Sequence, residues 1–454
     1  LTAGLRYEVP EVDEAPRLNT QFLADTGFNN SGTIDGSKTL SPRLGFNYAV
    51  DDERSIQVRG GAGHFLGKAP WVLFSNSYGR TGIGDFTVIN DAPAGGTLAQ
   101  GSFNNYLRAF DPANPIGQGT DNPALQREVN WADADIELPS VWRGNIAADL
   151  KLPVLSSVLT FEVVRTVNDK QFFITNENLR ATTIGADGRQ RFAGNPSTLA
   201  NRKFAGYTDL YRLRNVGTVD STYMTIALDR PMKNKWSANL SYTHGEAKDS
   251  QSFGQTTASG QWQRNVVFNQ SAVETSRSDF EIKHRVQLSL ARQFEPVKNW
   301  KSVVSLYYEG RSGDPFSWVY AQDLNGDGQT TNDLVAVTSG VNDPRFDFST
   351  MPAATQALYF QALQTTGLNA YAGGVAPKNA FFTPFSSRLD LRFSQTIPLY
   401  KPAELEIFMD FVNIGALIDE DLFGGYFIEA NQKHFGSEMF RRNRLGGAAY
   451  GPDG

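Results

Sequence analysis

Residues 387–414 constrain the fold of this chain more than any other stretch. Successive side chains of a strand point to opposite faces, so strict alternation of apolar and charged residues marks a strand with two different faces. Two such segments stand here in succession: Leu389, Leu391 and Phe393 against Arg388, Asp390 and Arg392, then Leu405, Ile407, Met409 and Phe411 against Glu404, Glu406 and Asp410. A proline-bounded turn at 398–402 joins them as a hairpin. Lipid on one side and water on the other require this pattern, which therefore indicates a transmembrane barrel.

The same alternation recurs upstream and predicts eleven strands in total. Nine strands precede the final pair, at residues 1–9, 43–50, 55–65, 141–152, 158–167, 221–229, 235–244, 280–292 and 300–310. Short turns alternate strictly with long segments, which places every short turn at one rim of the sheet and every long loop at the other. A sandwich or propeller would distribute its loop lengths over both ends. The prediction is an all-β fold, an antiparallel up-and-down transmembrane β-barrel with periplasmic turns and extracellular loops.

Composition narrows the class of protein further. No segment approaches the roughly 20 consecutive apolar residues of a membrane-spanning helix. The formal net charge of -6 argues against nucleic-acid binding, for which a basic patch is expected. The four histidines form no His-Glu-x-x-His motif, and no Gly-x-Ser-x-Gly elbow is found. The sequence therefore does not indicate an enzyme.

Both termini suggest a piece of a longer polypeptide. The chain begins at Leu1 within the first predicted strand, without an initiator Met, and stops in a glycine-rich tail at Gly454. Single-chain bacterial barrels have an even number of strands, whereas eleven is odd. We therefore expect residues 1–454 to be the C-terminal part of a barrel domain from which the closing strand is missing.

Several motifs resemble those of TonB-dependent outer-membrane transporters, and the Oar-like branch in particular. They are SPRLGFNY at 41–48, VRGGAGHF at 58–65, WVLFSN at 71–76, DLNGDG at 323–328 with NDL at 332–334, and FVNI at 411–414. The resemblance extends over most of the chain. It implies a 22-stranded barrel, of which about eleven strands are present here, in the outer membrane of a Gram-negative cell.

The resemblance also implies partners and a function. The barrel would contact outer-membrane lipid, hold its own N-terminal plug domain, and draw energy from the TonB complex to take up a scarce or large substrate. Plug, TonB box and closing strand are absent from the chain. Two other functions stay open: a passive outer-membrane surface protein, such as an adhesin or receptor, and a soluble secreted all-β glycan-binding protein.

Charged residues on the predicted polar faces are the first set of candidate site residues. The alternation turns nine of them toward the barrel interior: Arg6, Arg59, Arg143, Glu162, Arg285, Arg388, Asp390, Glu404 and Asp410. Their mixed signs are suited to hydrogen bonds with a plug domain. Plain solvation in a wide aqueous lumen explains each of them equally well.

A second candidate is a cation-binding loop. Asp323, Asn325 and Asp327 stand at alternate positions before Gly328, the spacing of the first half of a calcium loop, and Asp333 follows nearby. Leu334 occupies the twelfth position, where a bidentate Glu is expected. The sequence therefore leaves two interpretations, a structural Ca²⁺ in an extracellular loop or an Asp/Asn/Gly turn without metal. No other cofactor is indicated.

Aromatic residues of the long loops are the third set. Trp71, Phe74 and Tyr78 lie in one loop, and Phe316, Trp318 and Tyr320 in another. They would either form a ligand-binding mouth or be buried within self-packed loops.

Overall fold

An antiparallel meander of eleven strands dominates the fold. The computed structural model describes residues 1–83 except 69, residues 127–423 except 154–155, 218 and 271, and the short pieces 110–111, 114–115 and 432–434. The strands are β1 (Thr2–Glu8), β2 (Thr39–Ala49), β3 (Ile56–Leu66), β4 (Ser140–Leu152), β5 (Ser157–Asn176), β6 (Asp220–Lys233), β7 (Trp236–Asp249), β8 (His284–Phe294), β9 (Lys301–Arg311), β10 (Ser386–Tyr400) and β11 (Ala403–Phe411). Each pairs with the next, which confirms the predicted number and order.

Loop lengths alternate as predicted. Residues 50–55, 153–156, 234–235, 295–300 and 401–402 form short connections at one rim. Residues 9–38, 67–139, 177–219, 250–283 and 312–385 connect the strands at the other, which we call the long-loop rim. At one of the two turns of two residues, Asn234 and Lys235 both adopt a left-handed backbone, with φ of 54° and 65°. Such a turn matches the twist of the two strands it joins.

Several strands extend beyond their predicted limits. β5 continues to Asn176 instead of 167, because its last residues pair with the short strand Leu210–Val216. β7 likewise continues to Asp249 instead of 244, and its final residues pair with Ser276–Arg277. These contacts come from distant segments and leave no alternation in the sequence. With Val129–Ala132, the short strands bring the sheet to fourteen strands.

Strand register gives the meander one apolar face. Ile226 of β6 pairs with Phe161 of β5 on one side and Tyr242 of β7 on the other. These large side chains are substantially exposed, at 39%, 46% and 39% respectively. A continuous exposed apolar surface of this kind is rare on soluble proteins and is suited to contact with lipid.

The buried core lies in the long-loop rim and not between the strands of the meander. Trp131, Tyr207 and Leu210 pack around Phe22, while Phe316, Val337 and other residues of 312–385 form a separate cluster. Helices here are α1 (Thr20–Thr26), α2 (Trp71–Gly79), α3 (Ala258–Gln263), α4 (Ala353–Thr365) and α5 (Glu420–Phe423), with 3-10 turns at Leu199–Asn201, Leu368–Tyr371 and Ile414–Leu417. No helix within the described ranges is both long and apolar enough to cross a membrane.

Short strands complete the rim. Ala181–Ile184 pairs with Gln190–Phe192, and Phe110–Asp111 pairs with Asn114–Pro115. Pro315–Val319 lies between Phe381–Phe382 and Gln432–His434. Where the structure describes them, the long loops therefore contain strands and helices of their own.

Candidate functional site

The second face of the meander carries the charged residues. Register places the nine predicted residues on this polar face: Arg6, Arg59, Arg143, Glu162, Arg285, Arg388, Asp390, Glu404 and Asp410. One row of cross-strand partners illustrates the alignment. It crosses seven strands, from β3 to β9, and each residue pairs with the next: Arg59, Ala147, Glu162, Thr225, Thr243, Arg285 and Arg311. The alternation of single strands thus becomes a continuous surface of the sheet.

Ion pairs connect β3 with β4 and with β5 on the polar face. Arg59 Nε lies 2.9 Å from Asp149 Oδ2, and its Nη1 lies 3.6 Å from Glu162 Oε1. Thr160 Oγ1 donates a 2.7 Å hydrogen bond to Asp149 Oδ1, and Asn145 donates to Glu162 at 2.9 Å. All three charged side chains are partly exposed, so each pair contributes little to stability, about 0–1 kcal/mol.

A second group of polar contacts lies toward β11. Arg285 is 3.2 Å from Glu309, which also accepts a 2.9 Å hydrogen bond from Tyr307. Arg388 and Asp390 are 2.7 Å apart on β10, and Arg392 lies 3.6 Å from Asp410 of β11. Because these pairs are exposed, water or a polar protein surface can exchange with them at small cost.

The remaining predicted charges make local contacts. Arg6 pairs with Glu8 at 2.6 Å, and Arg143 Nε donates to Thr166 at 3.0 Å. Glu404 lies near the short-turn rim and is exposed.

The candidate cation loop is wound around Asp323. The Asp323 carboxylate accepts hydrogen bonds from the backbone N–H groups of Gly326 at 2.6 Å, Asp327 at 3.1 Å and Gly328 at 2.8 Å. Asn325 Oδ1 accepts from the Asp327 N–H at 2.8 Å. Gly326 and Gly328 have φ of 79° and 90°, a left-handed conformation that glycine adopts at no steric cost. The side chains at 323, 325 and 327 are thereby gathered on one turn.

Asp327 carries the buried carboxylate of the turn at 323–328. Its carboxylate accepts hydrogen bonds from the Gln329 N–H at 2.7 Å and from Asn332 Nδ2 at 2.8 Å, and its side chain has no solvent exposure. Burial raises the pKa of Asp327 to about 7. The carboxylate is therefore held in surroundings that disfavour its charge.

Asp333, the fourth predicted ligand, is engaged elsewhere. Its carboxylate lies 2.6 Å from Arg189 Nη1 and accepts hydrogen bonds from the backbone of Leu324 and Asn325. Nowhere in the described ranges do three or more His, Cys, Asp or Glu side chains group so as to hold a metal ion. Oxygen ligands other than carboxylates would be needed for a cation here.

The loop aromatics divide into buried and exposed residues. Phe74, Phe316 and Trp318 are buried in the loop cores, at 5%, 6% and 5% exposure, and Tyr320 packs against the same core as Trp318. Trp71 and Tyr78 of α2 remain open to solvent, at 59% and 39%. Trp71, Phe74 and Tyr78 line an apolar depression together with Val12 and Ile34. Of the predicted aromatics, Trp71 and Tyr78 thus present ring surface to a ligand at this depression.

No pattern in the sequence predicts two contacts of the long-loop rim. The first is the Arg189–Asp333 pair. The second joins His244 and His284, whose Nδ1 atoms lie 3.5 Å apart because β7 and β8 pair at these residues. Forty residues separate the two histidines, and cross-strand register alone brings them together.

Comparison with known proteins establishes the family. The family model described as the outer membrane beta barrel domain matches residues 1–415. No curated protein matches the chain. The solved structures that it resembles include the outer membrane transporter YddB from Escherichia coli, with 9% identity and a TM-score of 0.42 over 84% of this chain and 37% of that one.

Two siderophore receptors are similar to a comparable extent. A mutant of the ferric enterobactin receptor PfeA from Pseudomonas aeruginosa has 8% identity and a TM-score of 0.39, over 83% of this chain and 35% of that one. The siderophore receptor PirA from Acinetobacter baumannii has 8% identity and a TM-score of 0.37, over 83% and 37%. The chain thus spans little more than a third of the length of these structures. Because the family model covers most of its residues, the chain belongs to the outer membrane beta barrel domain family and resides in the outer membrane of a Gram-negative cell.

Proposed function

We propose that the chain forms part of the barrel of a TonB-dependent transporter of the Oar-like branch, which takes up a scarce or large substrate. The polar face gives this proposal its main support, because charges of both signs are aligned across its strands and the opposite face is continuously apolar. With the apolar face toward lipid, the charged face lines the interior of a barrel.

The chemistry of the polar face supports a plug domain as its partner. Exposed pairs such as Arg59–Asp149 and Arg285–Glu309 exchange hydrogen-bond partners without uncovering apolar surface. A folded plug can therefore dock against this surface and move during transport. The TonB complex is the energy source that such a movement requires.

Substrate capture is assigned to the long-loop rim. The described parts of its loops are folded, and the depression beside Trp71 and Tyr78 offers exposed aromatic surface next to polar loop residues. Such surface binds ligands of many chemistries, so the size and nature of the substrate follow from the loops and not from the barrel.

Two changes test capture and energy coupling together: the double variant Trp71→Ala with Tyr78→Ala at the depression, and deletion of the loop at 311–386. Cells expressing the complete protein are supplied with candidate substrates, and uptake is measured with and without an intact TonB complex. We expect both changes to reduce binding and uptake, and loss of TonB to abolish uptake while surface binding persists. As the matched control, an epitope inserted after Asp52, at the short-turn rim, should leave both unchanged.

The same measurement distinguishes the alternatives. A passive adhesin or receptor would bind through its loops with no uptake and no dependence on TonB, and that result would overturn the proposal. A soluble secreted glycan-binding protein would appear in the aqueous fraction, which the exposed apolar face and the family assignment both disfavour.

A further inference from the structure

We propose that the loop at 323–332 binds one Ca²⁺ through side-chain oxygens of Asp323, Asn325, Asp327 and Asn332, and that the cation orders this turn where it packs against the loop at 177–219. The site does not depend on what the barrel transports. Three features of the loop support it: its winding, one unsatisfied amide oxygen, and its uncompensated negative charge.

Winding brings the candidate ligands together. Three consecutive N–H groups, of Gly326, Asp327 and Gly328, point at the Asp323 carboxylate and curl the backbone around it. Residues at alternate positions then present their oxygens to the inside of the turn, as hard-cation loops do. The two left-handed glycines permit the bend.

The side chain of Asn332 supports a cation independently of the backbone winding. This side chain is 2% exposed, and its Nδ2 donates a 2.8 Å hydrogen bond to Asp327 Oδ2, which fixes the amide beside that carboxylate. Among the residues that the structure describes, none donates a hydrogen bond to its buried Oδ1. A buried amide oxygen without a partner is costly, and a cation held by the neighbouring carboxylates would satisfy it.

Charge selects a divalent ion. Asp333 is neutralised by Arg189, whereas the hydrogen bonds to Asp327 come from amides and backbone. Within the described ranges, the ion pairs of the structure include neither Asp323 nor Asp327. Two uncompensated carboxylates and two amide oxygens form a hard ligand set of charge -2, which Ca²⁺ matches in charge and chemistry.

The site lies on a second loop. Asn325 O accepts a 2.7 Å hydrogen bond from the Phe192 N–H, and Arg191 donates to Leu324 O. A Cβ added at Gly326 would stand 2.6 Å from Phe192 O, and one at Gly328 would stand 2.8 Å from Asn195. The turn therefore sits directly on the loop at 177–219, and a bound cation would order both.

Calorimetric titration of the full chain in detergent with Ca²⁺, after removal of metal with EGTA, tests the site. We expect saturable binding, with Mg²⁺ much weaker because it demands tighter octahedral geometry. Asp327→Asn should weaken Ca²⁺ binding at least about tenfold, since ligand charge sets the affinity of such loops. Asp347→Asn, in the same long loop and exposed, is the matched control and should bind as wild type does.

Asn332→Asp separates a cation site from a metal-free turn. Without Ca²⁺ it sets two buried carboxylates against each other and should increase trypsin cleavage at Arg189 and Arg191. With Ca²⁺ the added carboxylate should raise affinity and restore protection. Protection that fails to return with Ca²⁺, or wild-type titrations without saturable binding, would overturn the proposal.

Discussion

Arg189 and Asp333 are 144 residues apart in the sequence, yet they form an ion pair whose side chains have no solvent exposure. The guanidinium also donates to Leu334 O and to Asp187, and it stacks on the Phe268 ring at 4.9 Å. A buried ion pair thus joins the two long loops.

Arg189→Ala should loosen both loops, because it leaves the Asp333 carboxylate buried without its cation. Removal of one partner of a buried pair costs about 3–5 kcal/mol. Hydrogen exchange of peptides covering 181–192 and 323–334 measures the loss as faster exchange. The double variant Arg189→Met with Asp333→Leu removes both charges and should recover most of the protection. Equal exchange in wild type and Arg189→Ala would contradict the role of the pair.

Arginine substitutions at adjacent positions of β6 should differ sharply in effect. Ile226 lies on the apolar face and Thr225 on the polar face, beside Glu162. Ile226→Arg should lower the free energy of unfolding in lipid by about 2–4 kcal/mol if the position is near the midplane. Thr225→Arg gains Glu162 as a neighbour and should stay within about 1 kcal/mol of wild type. Denaturant titration in liposomes compares them, and equal losses would argue against lipid contact of one face alone.

Cysteine substitutions report which face meets water, since the chain contains no cysteine of its own. Glu162→Cys and Phe161→Cys are neighbours on β5 with opposite faces. In liposomes a charged maleimide should label Glu162→Cys readily and Phe161→Cys hardly at all. In denaturant both should react fully, which controls for expression and thiol state. Reversed labelling would mean that the polar face does not line the aqueous interior.

The loop around Asp343 should lose order in acid. Hydrogen bonds from the Arg345 guanidinium hold the pKa of Asp343 far below its ordinary value of 3.8. Because the pKa is lower in the folded than in the unfolded chain, the stabilisation is complete above about pH 4 and declines progressively as the pH falls from there toward the folded pKa. Hydrogen exchange of peptides at 337–349, corrected for intrinsic rates, should show constant protection above about pH 5 and a steady loss of protection below about pH 4. Asp343→Asn should lack this dependence, and a wild-type loop whose protection does not decline between about pH 4 and pH 2 would refute it.

The strands were predictable because their signal is local. Alternation with period two, as in Leu389–Phe393 against Arg388–Arg392, needs no knowledge of the rest of the chain, and short turns fix the register of each hairpin. The nine charged residues were placed on one face for the same reason. Element limits failed where strands such as β5 continue into pairings with remote segments.

The long-loop rim was not predictable to the same degree. Phe74, Phe316 and Trp318 are buried, whereas Trp71 is exposed. Which aromatic residue is buried depends on which loop segments contact each other, and no periodic pattern in the sequence predicts those contacts. Asp333 was grouped with Asp323 and Asp327 on spacing alone. Its actual partner, Arg189, comes from another loop, and only the folded chain reveals that contact.

Turns as tight as the one at Asn234 and Lys235 have a consequence for assembly. They let the two strands of a hairpin find each other within a few residues of chain, whereas seams such as β5–β6 must first close a loop of dozens of residues. Hairpins are therefore the units that form early, and the sheet grows by their successive docking. A lengthened turn at 234–235 would slow entry into the bilayer while leaving the finished structure intact.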